Sequence, residues 1–375
     1  MDQRARFIFD LRSCRYTMTE LCERYGVSRK TGYKWAERYV DGGIESLQDR
    51  SRAPHHSPQR TPEPLREALI EARQAHPTWG PKKLLRILSN RHPTWPWPAL
   101  STAGEILRQA GLVAPRRRRR RRPQPPTQPL KTAPTRPNQL WTADFKGEFR
   151  TGDHRYCYPL TIADGCSRFL LACEGQSSTS IEQTRPGFER TFETYGLPDG
   201  ILTDNGPPFG SHGLLRLSKL SVWFAKLGIE LYRIQPGHPE QNGSHERMHR
   251  TLKRETARPP AADLQSQQAR FDAFVQEYND ERPHEALDQE CPQSLYQASL
   301  RPYPQQVPEV DYPGHFEVRR VRPNGEVKWQ GQRHFLSEAL AGERVGFEEV
   351  DDGIWSVVFA TILLARYDER ERLIS

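Results

Sequence analysis

Three acidic residues in the middle of this chain stand where a carboxylate has chemistry to do. Asp144 interrupts LWTADFKGEF, an aromatic and apolar strand candidate in which an unpartnered charge is costly. Asp204 closes DGILTD, just before Asn205-Gly206, at the carboxyl end where α/β sheets present their ligands. For the third position, HPEQNGSHER offers both Glu240 and Glu246. A few convergent carboxylates suffice for magnesium, which prefers oxygen ligands and keeps several waters. Two such ions, about 3.5–4 Å apart, activate a nucleophile and stabilise the departing oxygen of a phosphodiester. Taken singly, Asp204 also fits an Asp-Asn-Gly turn and Asp144 a strand-edge surface charge. On neighbouring strands the two together favour a site.

The elements that must position these residues follow from the local patterns. LWTADFKGEF, YCYPLTIAD and RFLLACEG read as strands, the last two joined by an Asp164-Gly165 turn. A helix near 179–195, the strand DGILTD, a helix near 213–227, the strand IELYRI and a helix opened by GSHERMHRTLKRE follow. Three antiparallel strands and then strand–helix alternation is the element order of a ribonuclease H-like α/β domain. Its expected span is 138–300, with helix continuing over 261–300 and burying Phe271, Phe274 and Tyr278. Glu240 follows Pro236, Gly237, His238 and Pro239 and so falls in a loop, whereas Glu246 falls one turn inside a helix. There Asn242 precedes it by four, and Arg250 and Lys253 follow at four and seven, so one face presents an amide, a carboxylate and two cations for a phosphate. Glu246 is the preferred carboxylate. His238, His245 and His249 are expected to be solvent-exposed or to contact phosphate.

The 375 residues exceed one compact core, and the formal charge is +8, from 55 Lys+Arg against 47 Asp+Glu. Arg116 to Arg122 form an unbroken basic run within a proline-rich linker, 115–137, suited either to a polyanion or to a solvated or import-like tract. Residues 1–50 read as a helix-turn-helix: Leu21, Val27 and Trp35 anchor it, small Cys22 permits helix approach, and Gly26 makes the turn. Ser28 caps a second helix presenting Arg29, Lys30, Tyr33 and Lys34 for the major groove, although a plain helical hairpin has the same signals. Residues 62–114 form a second helical module, for DNA binding or dimerisation. Its expected core is Trp79, Leu84, Leu85, Leu88, Leu100, Ile106 and Leu107, with Ser101 or Thr102 as a cap. Residues 310–370 read as short strands with Asn324-Gly325 and Asp352-Gly353 turns, a small β-barrel-like domain. No secretion signal or apolar span is evident, and six cysteines without a CxxC pair argue against a disulfide framework or structural zinc. The expected location is cytoplasmic.

WTADF, LTDNGPPF and GHPEQNGSHERMHRTLKRE resemble the catalytic core shared by retroviral integrases and bacterial insertion-sequence transposases, the DDE superfamily. The resemblance extends to both helical modules and the NGEVKWQG-type tail. It implies a ribonuclease H-like fold and two Mg2+ or Mn2+ ions on Asp144, Asp204 and Glu246. It further implies contacts from Asn242, Arg250 and Lys253 to a DNA end, and binding to terminal inverted repeats. Glu240 leaves 35 residues after Asp204, the spacing for which this class is named; an insertion of SHGLLRLSKLS explains the longer reach to Glu246. The amino-terminal His/His/Cys/Cys zinc site of retroviral integrases is missing, so recognition of the ends falls to the helical modules. Partners implied are element-end and target DNA and a homodimer or larger synaptic assembly, without a membrane. The rivals are a non-catalytic helix-turn-helix regulator from a decayed element and a general nuclease. Tyrosine or serine recombination lacks a nucleophile amid an arginine and histidine cluster.

Overall fold

Small residues at helix crossings organise the amino-terminal end of the computed structural model, which describes residues 2–49, 60–113, 133–211, 217–234, 242–371 and 373–374. The arginine run, His238 and Glu240 lie outside the described residues. The chain divides into two units, Met1–Pro62 and Glu63–Ser375.

In the first unit, α1 (Asp2–Arg12), α2 (Met18–Arg24) and α3 (Arg29–Gly42) enclose Phe7, Ile8, Leu21 and Cys22. Thr17 and Glu20 form a capping box at α2, and Ser28 Oγ accepts from Thr31 N at 3.2 Å to cap α3. Gly26, with φ +64°, makes the turn between them. Val27 and Trp35 pack at the margin of this core, and Arg29, Lys30, Tyr33 and Lys34 are exposed on α3.

The second unit begins with α4 (Glu63–Ala75), α5 (Pro81–Arg91) and α6 (Leu100–Gln109), packed around Trp79, Leu84, Leu88, Ile106 and Leu107. Two details differ from expectation. Leu100 is the first residue of α6 and is half exposed, and the capping position falls on Ala99 rather than Ser101 or Thr102.

A six-stranded sheet follows: β1 (Leu140–Phe145), β2 (Phe149–Arg150), β3 (Tyr156–Asp164), β4 (Leu170–Gln176), β5 (Gly200–Thr203) and β6 (Glu230–Arg233). β3 pairs antiparallel with β1, β2 and β4, while β1, β5 and β6 run parallel. Residue alternation sends Leu160 and Ile162 to one face and Cys157 and Ala163 to the other. The first face is covered by α7 (Ile181–Tyr195) and α8 (Lys219–Lys226) through Phe188, Phe192, Trp223 and Phe224. The second is covered by α9 (Gly243–Thr256) and α10 (Leu264–Gln276) through Met248, Leu252, Phe271 and Phe274, with Tyr278 just beyond α10. The helix expected over 261–300 is shorter. After α10 a π-helical turn runs to Glu281, and Arg282 becomes extended before Pro283, as a residue preceding proline tends to do.

The carboxy-terminal strands are β7 (Glu317–Arg320), β8 (Glu326–Trp329), β9 (Gln332–Phe335), β10 (Arg344–Asp351), β11 (Ile354–Phe359), β12 (Ile362–Asp368) and β13 (Leu373–Ile374). They form an open five-stranded sheet, β13-β12-β11-β10-β7, and a separate β8-β9 hairpin, so the described residues contain no closed barrel. Asp352-Gly353 makes the β10-β11 hairpin turn; Asn324-Gly325 instead turns the chain from one sheet to the next. Val222 and Ala225 of α8 join this β core, and Lys226 pairs with Glu343 at 3.0 Å.

A β-carbon at Gly32 would approach Cys22 Sγ to 2.7 Å and the Phe7 ring to 3.0 Å. Gly32→Val should therefore destabilise the first unit by about 1–3 kcal/mol through overpacking. The measurement is its helical unfolding transition; an unshifted transition would refute the close α2–α3 crossing.

Candidate active site

Parallel pairing of β1 with β5 sets Ala143 opposite Thr203. One further step along that register brings Asp144 beside Asp204 at the carboxyl edge of the sheet. Burial first, and then the charge of Asp204, push the Asp144 carboxyl up to about 7; Glu246 adds a weaker push, opposed by the Phe145 N–H and Lys146. Burial also raises Asp204, against the Gly206 N–H at 3.3 Å and the guanidinium of Arg233. Asn205 Nδ2 donates to Ile234 O at 2.8 Å, so Asp204 does open an Asp-Asn-Gly turn, and that turn is what fixes it at the sheet edge.

Glu246 lies exposed in the first turn of α9. Among the described residues no three His, Cys, Asp or Glu side chains are gathered tightly enough to hold one ion. The two aspartates are fixed side by side by strand pairing, while Glu246 stands apart from them on the exposed face of α9. The chemistry of the donors fits a hard divalent cation: carboxylates only, with Asp144 held near 7 by burial and then by the charge of Asp204. Arg250 and Lys253 are exposed on α9. Asn242 is instead buried at the helix entry, its Oδ1 without a hydrogen-bond partner among the described residues.

Sequence reasoning passed over Lys146. It is half-buried, its ammonium pKa is lowered by burial and by Lys253, and the charges of Asp144 and Glu246 hold it the other way. Its signal was its place two residues past Asp144, on the strand's exit.

The histidines overturn their expected exposure, since α9 turns both towards the sheet. His245 is 2% and His249 5% exposed. Thr161 Oγ1 lies 2.7 Å from His245 Nε2 and 2.6 Å from His249 Nε2, and donates to the Asp144 carbonyl oxygen at 3.0 Å. With its own proton so committed, the hydroxyl accepts from both rings, which assigns a proton to each Nε2. His245 Nδ1 then accepts from Thr142 Oγ1 at 2.8 Å, the shorter of that hydroxyl's two contacts, the other being to Ala163 O at 3.3 Å. Burial pushes His245 down to about 3 and His249 to about 2, so both stay neutral. The 3.8 Å approach of His249 Nδ1 to Asp144 is consequently not an ion pair. His245 and His249 have the i, i+4 spacing of a helical metal pair, yet their nitrogens meet at a hydroxyl. They fasten the helix bearing Glu246 to the strand bearing Asp144.

Models described as integrase core domain match residues 134–239 and 227–292. A helix-turn-helix domain matches 3–55, a homeodomain-like domain 31–107, and the IS481 family transposase C-terminal domain 316–375. The uncharacterized 31.7 kDa protein of insertion element IS407 from Burkholderia multivorans is 29% identical over 189 residues, 50% of this chain and 65% of that protein. The IS476 39.2 kDa protein of Xanthomonas euvesicatoria is 28% identical over 190 residues, 50% of this chain and 51% of its own. The Pol polyprotein of Radiation murine leukemia virus is 33% identical over 118 residues, 32% of this chain and 19% of the polyprotein. The chain thus spans less than two thirds of the length of each of these relatives. Among solved structures, a simian T-cell lymphotropic virus intasome covers 79% of this chain and 97% of its own at 16% identity and TM-score 0.39. The HTLV-2 integrase catalytic core with magnesium covers 43% and 98% at 15% identity and TM-score 0.35. The sequence matches define an integrase-core protein with helix-turn-helix modules. Within that class, its carboxy-terminal residues 316–375 match the C-terminal domain of IS481 family transposases, and its curated relatives include proteins of two bacterial insertion elements.

A carboxyl held near 7 must lose its proton to bind a cation. Affinity for Mn2+ should therefore fall by up to about tenfold for each pH unit below 7 and level off above it. Without metal the native state holds this proton between the ordinary aspartate pKa and 7, so stability from this group falls as pH rises through that window. Asp144→Asn should accordingly raise the metal-free melting temperature at pH 8. Calorimetric titration at pH 6 and 8 and melting of the variant check both; a pH-independent affinity would contradict the buried, charge-coupled site.

Proposed function

We propose that the chain is a DDE transposase that binds the terminal inverted repeats of an insertion sequence, cleaves to free 3′-hydroxyls, and joins them to target DNA. The observation carrying this reading is the placement of Asp144 beside Asp204 on adjoining strands, with the helix of Glu246 fastened to the same strand. Asp144, Asp204 and Glu246 would hold two Mg2+ or Mn2+ ions. Bound there, divalent ions supply the charge that activates the attacking oxygen and stabilises the leaving one.

The remaining work belongs to the chain's own groups. The β1–β5 register fixes two carboxylates, and the histidine pair fixes the axis of the third. Lys146, Arg250 and Lys253 offer positive charge to a phosphate beside them, with Asn242 at the helix entry contacting the DNA end. Arg29, Lys30, Tyr33 and Lys34 on α3 read the repeat from the major groove. The parts divide as 1–50 and 62–114 for recognition, 115–137 as a basic tether, 138–300 for chemistry, and 310–370 as a β-rich tail. Two ends cut together call for a homodimer or larger synaptic assembly, acting on DNA in the bacterial cytoplasm.

A strand-transfer assay with purified protein, an element-end duplex and Mg2+ tests the reading. Asp144→Asn, Asp204→Asn and Glu246→Gln should each lower joining on the order of 10³-fold or more while end binding persists. Glu240→Gln should join like wild type; if it is the dead variant, the third ligand is Glu240. Binding without joining by the wild type would identify a regulator descended from a decayed element. Replacing Lys30 and Lys34 together by Ala should remove the preference for the repeat over random duplex, each base contact carrying about 1–3 kcal/mol.

A further inference from the structure

A cavity of about 270 Å³ beside α9 is lined by Lys83, Arg168, Arg247, Arg250, Arg282 and His284. Glu285 is the acid on its wall, and that carboxylate is already tied to Lys82 at 3.0 Å. Arg282 is buried and paired with Glu255 at 3.1 Å. The side chains of Lys83, Arg168 and Arg247 make no hydrogen bond or ion pair among the described residues. Burial and the neighbouring cations both disfavour the charged forms here. Burial and then Arg282 push Lys83 down to about 8, and burial lowers Arg168, with Arg247 acting in the same direction. Five cations, Lys83, Arg168, Arg247, Arg250 and Arg282, thus line a cavity that has one carboxylate, Glu285, on its wall.

Three further features border the cavity. Gly80 caps α5 without a side chain, and the first turn of that helix carries Lys82 and Lys83 where the dipole favours acids. Arg168 adopts a left-handed φ of +64°, which a non-glycine residue takes only when its surroundings impose it. Asp164 imposes it here, accepting from Ser167 N and Ser167 Oγ at 2.7 Å each and from Asn138 N at 2.8 Å. His284 Nε2 is buried without a partner.

Arg247 and Arg250 bring the cavity onto the flank of the helix that bears Glu246, at about 100° of turn per residue. A strand lying at the carboxylates would pass this flank. Lys83, by contrast, belongs to the second helical module, which docks on the core through His76–Glu277 at 3.2 Å, Lys82–Glu285 and Arg86–Glu290. We propose that this cavity is a binding site for a backbone phosphate of the DNA strand entering the active site, shared between the second helical module and the catalytic core. The assignment rests on the DNA-joining function proposed above.

The test uses the full chain and a labelled element-end duplex, with the dissociation constant measured across a NaCl series. Lys83→Gln and Arg168→Gln should each weaken binding about tenfold and reduce the slope of log affinity against log salt by about one. Lys83→Arg should retain wild-type behaviour, which separates loss of charge from misfolding. Wild-type slope and affinity in both Gln variants would overturn the phosphate site while leaving the transposase reading intact. Failure of the wild type to bind the duplex would overturn both. A thermal shift with inorganic phosphate alone, lost in Lys83→Gln while that variant binds DNA like wild type, would show a free-anion site and overturn the proposal.

Discussion

A single hydroxyl, Thr161 Oγ1, stands between the strand that carries Asp144 and the helix that carries Glu246. It donates to the backbone carbonyl of Asp144 and accepts from two imidazoles of α9, so neither element shifts without breaking a buried hydrogen bond. Leaving any of these groups unpaired in a dry interior costs about 1–3 kcal/mol each. Neutrality is what makes the arrangement tolerable. Two imidazoles with rings 4.5 Å apart would repel strongly if protonated, and burial keeps both uncharged. The chain therefore spends its histidines on geometry and leaves the charges to the carboxylates.

Those carboxylates carry the opposite logic. Asp144 and Asp204 are held together by strand pairing, not by attraction, and the repulsion between them remains in the folded chain. Lys146 and Arg233 relieve part of it from opposite sides without occupying the site. A site that stays acid-rich and only partly compensated is suited to a divalent cation and poorly suited to a rigid structural salt bridge. Glu246 is exposed one helical turn into α9, on a different side of that helix from the buried His245 and His249 contacts that hold it to the sheet.

The sequence carried most of the architecture because the patterns were strong. Short apolar and aromatic runs marked β1, β3 and β4, and Asp204 before Asn-Gly marked the edge of β5. Glu246 was placed in a helix by its neighbours Asn242, Arg250 and Lys253. What local pattern could not reveal was which side of α9 faces inward. His245 and His249 looked like loop histidines, and only the buried Thr142 and Thr161 opposite them, far off in sequence, determine their role. Leu100 failed as a core residue for a related reason, since apolar character does not say whether the first residue of a helix reaches its neighbours. The β-rich tail was visible as strands, but closure depends on pairing between distant edges, and β7 and β13 do not pair.

The two attachments to the catalytic core differ in kind, and the difference has a physical consequence. The β-rich tail buries apolar residues of α8, Val222 and Ala225, in its own core, a contact indifferent to salt. The second helical module is held at its α5 edge largely by charged and polar pairs, with Lys83 and Arg168 left uncompensated between them. Exposed ion pairs of that kind contribute at most about 1 kcal/mol each and weaken with ionic strength. A polyanion bridging the same interface adds attraction where the protein alone has repulsion. Docking of the module and occupancy of the DNA path are then linked: whatever holds one favours the other, by the same free energy in both directions.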